Sequence, residues 1–364
     1  MLENKLTPGS EPKNGVIRGE YHQTAPEEAA GSAAFADGAA GPDRRTARRR
    51  FSRMGAAVLM ILLVTTVLQV ALATILNLTM AGGVQNTSWG LWVVTFAPQY
   101  LAAIPLGLLL LRSVPGERPE RSSLGAGRYF VIILLSIFMM YAGNLLGGAI
   151  QGVVEQIVGF VPENPLEEYI GGSSLILQVL CMVILAPLFE ELVFRRTLID
   201  RMRPYGEKLA VVTTAAMFAL FHGNLSQMFY AFTLGLVFGY VYVRTGKLRY
   251  TVGLHMLINL LGGVVGPLLT DWAGDALDLE DVSRLAEAEL TPGALALGAY
   301  GLLMIVAAIA GLVLLIVRAK RVRFQPAPLE LPRGKRFSTA WLNPGMLLFT
   351  AACLLMVVST FLTL

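Results

Sequence analysis

Leu185-Ala-Pro-Leu-Phe-Glu-Glu-Leu-Val-Phe-Arg-Arg196 sets two adjacent carboxylates and a pair of arginines into a run otherwise apolar enough to lie in a bilayer. An ionisable group costs at least ~2.5 kcal/mol at the centre of a membrane helix, so such groups are rare, face inward and by default mark a functional site. The stretch therefore reads as part of a transmembrane helix that carries chemistry. The rest of the chain has to supply its partners.

The composition fits that reading. The 364 residues are 55% hydrophobic and 15% charged, with a mean hydropathy of +0.61, which excludes an ordinary soluble domain and indicates a polytopic membrane protein. The formal charge of +4 does not point to a nucleic-acid partner, because the basic residues sit between apolar runs and no aromatic-basic stretch is present. They are expected to orient the chain in the lipid bilayer. Cys181 and Cys353 both lie inside apolar segments and form neither a paired framework nor a C-x-x-C motif.

Residues 1 to about 43 are polar and rich in Gly, Ala, Pro and Glu, which predicts disorder. The run Arg44 to Arg50, extended by Arg53, then abuts an apolar stretch of roughly 25 residues from Gly55, too long and too late for a signal-peptide core. It predicts a first transmembrane helix behind a basic cytoplasmic anchor. Further apolar segments fall at approximately 91–111, 129–159, 173–199, 208–222, 227–243, 251–270, 294–317 and 344–364. The fold expected is an all-α polytopic bundle of about eight to nine transmembrane helices, the last being the one in question because it follows a Pro-rich linker. Connections rich in Lys and Arg (around Arg112 to Arg128, Arg196 to Lys208, Arg244 to Arg249 and Arg318 to Arg336) alternate with connections that lack them but for Arg284. Basic excess marks the cytoplasm, so the N-terminus is expected inside and the C-terminus outside, in the plasma membrane of a bacterium. This divides the chain into a disordered basic tail (1–53), N-terminal membrane helices (54–172), a core (173–270) and C-terminal helices with a cytoplasmic linker (271–364). The G-x-x-x-G spacings at Gly143/Gly147, Gly235/Gly239 and Gly262/Gly266 are read as packing within one bundle rather than as dimer contacts.

Of three histidines, His222 and His255 lie in the membrane segments that follow the Glu-Glu pair, which suggests a shared site. Glu191 and Arg195 are spaced i,i+4, so an ion pair between them would hold Glu191 ionised. Glu190 points about 100° away and is the carboxylate free to take a proton from water. His255 and Asn259, also i,i+4, set an imidazole and an amide on one face, as donors to an oxyanion or as ligand and support.

These residues form three ordered motifs: Glu190-Glu191-x-x-x-Arg195, Phe218-x-x-x-His222 and His255-x-x-x-Asn259. Together with Phe194-Arg-Arg196 and Tyr242-Val-Arg-Thr-Gly-Lys247, they resemble the CPBP family, which comprises the CAAX proteases and the bacteriocin-processing or Abi proteins. The resemblance covers about 173 to 270. It implies an all-helical intramembrane endopeptidase acting on a membrane protein or peptide. In that scheme Glu190 activates water with His222, His255 and Asn259 hold the oxyanion, and Glu191 with Arg195 is the orienting pair. Arg196 stands where many members have glycine. Glu190, His222 and His255 would also make a zinc site with an open position. No H-E-x-x-H is present, and the family is argued both as a zinc protease and as a metal-free glutamic protease; the zinc-assisted form is the expectation carried forward. Two other readings stand beside the protease: a proton- or ion-coupled transporter using the glutamates as a relay, and a catalytically silent immunity or binding protein. The substrate, prenylated or not, is not written in the sequence.

One difficulty follows from the spacing. Counted from the nearest basic residue at ~1.5 Å per residue, Glu190 and His255 lie about 9 Å deep and His222 about 21 Å deep. The expectation is therefore a sunken hairpin whose tip, Gly223-Asn-Leu-Ser-Gln227, is buried in protein beside a water-filled cavity open to the cytoplasm. Asn144, Gln151 and Glu155 are expected to bond neighbouring helices, and Pro187 to free backbone carbonyls near the site.

Overall fold

In a computed structural model, the described residues are 43–80, 83, 87, 89–160, 174–274 and 291–361. The polar N-terminal stretch before Asp43, expected to be disordered, falls outside them, as do Glu167 and Glu168. Among the described residues every element is helical, and each of the nine apolar segments becomes a helix. The elements are α1 (Arg44–Thr79), α2 (Gly90–Ser113), α3 (Ala126–Val158), α4 (Leu175–Tyr205), α5 (Glu207–Phe221), α6 (Leu225–Thr245), α7 (Leu248–Ala273), α8 (Pro292–Arg321), the short α9 (Arg333–Ala340) and α10 (Pro344–Ser359). Seven of these are long and apolar enough to cross a membrane. The α9–α10 pair, bent by 65°, makes an eighth if it counts as one span. Helix α5 is the segment that falls short: its 15 residues reach only ~22 Å of a ~30 Å hydrocarbon core. Outward faces stay apolar, with Leu78 82% and Ile157 78% exposed, as lipid contact requires and water would not favour.

The basic connections gather at one end. Glu117 N–H donates to Asp200 O and Ser122 N–H to Thr245 O, while Leu329 N–H donates to Pro204 O. The Arg50 guanidinium donates to the Tyr205 hydroxyl, 2.9 Å away. Buried Glu207 ties the end together: it pairs with Arg203 at 3.2 Å and with Arg244, and accepts from the Gln325 N–H of the linker. At the other end, Phe160 after α3 meets Phe361 after α10, their rings 6.1 Å apart. The charge alternation of the sequence thus sorts the connections onto two faces.

The anticipated boundary at residue 53 moves. Residues 44–53 are not part of a tail but the first turns of α1, capped by Asp43, whose carboxylate accepts from Arg45 N–H and Thr46 N–H. Ala47 and Phe51 on the same turns are fully buried. The helix turns its arginines outward and its small and aromatic residues toward α9 and α10, where the Arg44 guanidinium donates to Thr339 Oγ1.

Small residues set the helix contacts. A side chain at Gly143 would collide with the Tyr230 backbone of α6, and one at Gly235 would come within 3.0 Å of Ala215 on α5. Two of the three G-x-x-x-G spacings therefore pack the bundle internally, while Gly262 has no neighbour within 4 Å. Gln151 donates to Ser226 Oγ at 3.1 Å, a helix–helix bond from α3 to α6.

Candidate active site

Helix α4 carries the Glu-Glu pair on an α-helical turn, Ala186–Glu191, between two π-helical stretches, Val179–Leu185 and Leu192–Ile199. Such wide turns are rare and recur at functional sites. Pro187 explains part of the first one. The Ala186 N–H bonds back to Cys181 O in π register, so Met182 O would need the next amide, that of Pro187, which has none. The freed carbonyl is met from α7: the Asn259 side-chain amide donates to Met182 O at 2.8 Å.

Glu191 and Arg195 are wholly buried, with Oε2 and Nε 3.1 Å apart. The pair attracts strongly in such surroundings, though the Nε–H is not aimed along the contact, and Nη1 and Nη2 have no hydrogen-bond partner. Aromatic faces take their place. The Arg195 guanidinium carbon lies 4.9 Å from the Phe218 ring centre and 5.8 Å from that of Phe238, so the cation sits between two π faces as well as beside a carboxylate.

His255 lies between the two carboxylates. Its Nδ1 is 3.2 Å from Glu191 Oε1 and its Nε2 3.7 Å from Glu190 Oε2. The Nδ1–H donates to Glu191, whereas 3.7 Å is too long for a hydrogen bond from Nε2 to Glu190. Of the two glutamates, only Glu190 reaches the surface of the cluster, with 15% of its side chain exposed.

His222 joins through Phe218. The His222 and Phe218 rings meet edge-on at 4.8 Å, and the same Phe218 ring lies 5.8 Å from His255. One aromatic ring separates the two imidazoles. The His222 Nδ1 faces Phe218 O at 2.8 Å and carries the proton there, leaving Nε2 as an acceptor. Among the described residues no hydrogen bond or ion pair joins His222 to either glutamate.

The depth difficulty has a simple origin. Arg196 does not mark the edge of the membrane, because it finds an acid one turn on, Asp200, at 3.7 Å, and α4 continues to Tyr205. Measured from the turn at Gly206, Glu190 and His222 are each sixteen residues away, one on α4 and one on α5. The two helices run antiparallel and carry both residues to one level. The tip beyond His222 is enclosed: Gly223 and Asn224 are buried, with Met356 of α10 closing over Gly223. The positive φ of Gly223, +65°, lets the chain reverse there. Asn224 then caps α6 through Gln227 N–H.

The Asn259 amide, expected beside His255 at an oxyanion, donates to Met182 O of α4, while His255 hydrogen-bonds through Nδ1 alone. For the zinc trio Glu190, His222 and His255, no group of three or more His, Cys, Asp or Glu side chains among the described residues is arranged to hold a metal ion. Both imidazoles bond through Nδ1, His255 to Glu191 and His222 to a backbone carbonyl, which leaves each Nε2 without a hydrogen bond among the described residues.

The sequence reading missed the aromatic frame. Phe218 and Phe238 look like ordinary core residues until Arg195 lies between them. Tyr100, on a π-helical stretch of α2 (Pro98–Ala103), stacks on Phe189 at 4.4 Å with its hydroxyl buried and without a partner. It is ninety residues from the pair it approaches, and no local spacing announces it.

Comparison with family models matches residues 172–261 to the type II CAAX prenyl endopeptidase Rce1-like family. The match covers about a quarter of the chain, and over that segment the chain is similar to this family. The Rce1-like segment runs from just before α4 to just past Asn259 and holds all six candidate residues. The family so described is one of prenyl endopeptidases, which hydrolyse peptide bonds. No curated protein and no solved structure matches the chain.

Proposed function

We propose that the chain is an intramembrane endopeptidase that hydrolyses a peptide bond of a membrane-associated or lipidated protein, with Glu190 as the base. The observation that carries this is the convergence of Glu190, Glu191, Arg195 and His255 into one contact cluster inside the family-matched segment. A relay for ion transport would not require an exposed carboxylate beside an imidazole whose second nitrogen is anchored, whereas water activation does.

Glu190 takes a proton from a water molecule that also donates to His222 Nε2. The resulting hydroxide adds to the substrate carbonyl, forming the C–O bond and placing negative charge on the carbonyl oxygen. His255, acting as an imidazolium, donates Nε2–H to that oxyanion, and Glu191 accepts from Nδ1–H and fixes the angle of the ring. Glu190 then returns the proton to the leaving nitrogen as the C–N bond breaks, yielding a carboxylic acid and an amine. Arg195 fixes Glu191 and takes no proton. Asn259 acts at one remove, by holding the α4 backbone that bears the glutamates. No step uses a metal ion. The basic end lies in the cytoplasm on the positive-inside rule, with the N-terminus inside and the membrane being that of a bacterial cell.

The test is Glu190→Gln, which keeps shape and removes the base. Membrane proteomes of cells carrying the native chain and the variant are compared for new protein termini. Termini present only with the native chain are expected; identical sets in both strains, with the two proteins equally abundant, overturn the assignment of Glu190.

A further inference from the structure

A cavity of about 790 Å³ opens between α3, α5, α6 and α8, and none of the six candidate site residues lines it. It is therefore not the wet cavity expected at the catalytic cluster. Its volume falls in the ~300–1,000 Å³ range of small-ligand pockets. The two ends of this cavity differ in chemistry. Its depth is walled by aliphatic side chains, including Ile132, Leu135, Val212, Leu236 and Leu315. Its mouth, at the basic end of the bundle, carries Arg128, Lys208, Arg244, Arg318 and Arg321.

Of those five cations, only Arg244 is neutralised, by Glu207. Arg128, Lys208, Arg318 and Arg321 make no ion pair among the described residues, although they come from three different helices and converge on one opening. Cations of one sign gathered at an opening with apolar walls focus a positive potential there, which draws an anionic ligand. The ligand must also be apolar over most of its length and enter from the bilayer side, where Val212 is 40% exposed.

We propose that this cavity binds an anionic phospholipid, with its phosphate among Arg128, Lys208, Arg318 and Arg321 and an acyl chain along Leu135, Leu236 and Leu315. Basic pockets between transmembrane helices hold anionic head groups in this way. A prenylated peptide tail fits the walls but brings one terminal carboxylate, with fewer acceptor oxygens for four cations than a phosphodiester and its head group offer, and a free phosphate has no use for the apolar depth. The inference is independent of the protease reading, since no residue of the catalytic cluster takes part.

The test reads bound lipid, not cleavage. Purified protein is reconstituted in phosphatidylcholine nanodiscs containing a minor fraction of phosphatidylglycerol, extracted in mild detergent, and the retained lipid counted by native mass spectrometry. Three variants are compared with the native chain: Arg128→Gln/Lys208→Gln/Arg318→Gln/Arg321→Gln at the rim, Leu236→Trp in the wall, and a charge-matched control, Arg45→Gln/Arg49→Gln/Arg333→Gln/Lys335→Gln, elsewhere at the basic end. Each rim cation is expected to contribute on the order of fivefold in affinity. The rim variant should lose the retained phosphatidylglycerol, the control should keep it, and Leu236→Trp should lose it with every charge in place. Equal retention by rim variant and control overturns the proposal. So does retention by Leu236→Trp, because the lipid would then be held by surface charge alone. Inorganic phosphate added during extraction should leave retention unchanged; displacement by it would mean a phosphate site without a lipid site.

Discussion

Replacing Asn259 with leucine tests whether its amide positions α4 or meets substrate. The side chain is nearly isosteric, and its loss strands Met182 O, whose own helix cannot serve it because the amide that would do so belongs to Pro187. An unsatisfied buried carbonyl costs about 1–3 kcal/mol, and polar contacts between membrane helices fall at the low end, with a maximum near 1.7 kcal/mol. A loss of ~1–2 kcal/mol is therefore expected for Asn259→Leu, read from unfolding in mixed dodecyl maltoside and SDS micelles. Pro187→Ala supplies the missing N–H. If the bond to Met182 is the purpose of Asn259, the leucine substitution should cost about 1 kcal/mol less in the Pro187→Ala background, a coupling that a double-mutant cycle isolates. Zero coupling refutes the argument. Cleavage gives an independent reading: loss of a direct oxyanion donor costs ~10²–10³ in kcat. A defect of that size that Pro187→Ala leaves untouched would return Asn259 to the oxyanion.

Arg195→Met should destabilise the fold by ~3–5 kcal/mol, because it leaves Glu191 charged and buried, and Glu191→Gln/Arg195→Met should recover most of that loss; unfolding of the two variants beside the native chain checks it. Arg195→Lys should not substitute, since an ammonium cannot lie flat between Phe218 and Phe238, and a fully stable lysine variant would refute the role of the rings. Cleavage, once a client is in hand, is expected to persist with a zinc chelator present, since the donors near Glu190 form no metal-holding group; loss of activity restored by zinc alone would refute this. Gly143→Leu should separate α3 from α6 at Tyr230 and lower the yield of monodisperse protein, while Gly262→Leu, with open space around it, should be tolerated.

The fold was largely legible because membrane helices announce themselves through composition, and the two faces of the bundle through the placement of Lys and Arg. The chemistry was legible for a different reason: carboxylates and imidazoles are conspicuous in apolar text, and i,i+4 spacing ties Glu191 to Arg195 without any tertiary information. What failed was the step from charge to depth. Arg196 looks like a membrane boundary only if it is assumed to face water, and Asp200 removes that need. Helical spacing also identified the face shared by His255 and Asn259 but not what lies opposite it, which depends on where Pro187 opens a neighbouring helix. Phe218, Phe238 and Tyr100 were invisible because an aromatic residue that supports a charge is spelled like one that fills a core.

The clasp between the first and last helices bears on how the bundle is made. Gly345 N–H donates to Ser52 Oγ across 293 residues, and Gly55 and Gly345 lie too close to a facing backbone to admit even a methyl group. That seam on α1 is finished only when α10 emerges, which at ~5–20 residues per second is roughly 15 to 60 seconds after α1 itself. Through that interval the newborn helix presents a small-residue groove to lipid, and the arrival of α10 closes that seam like a zip.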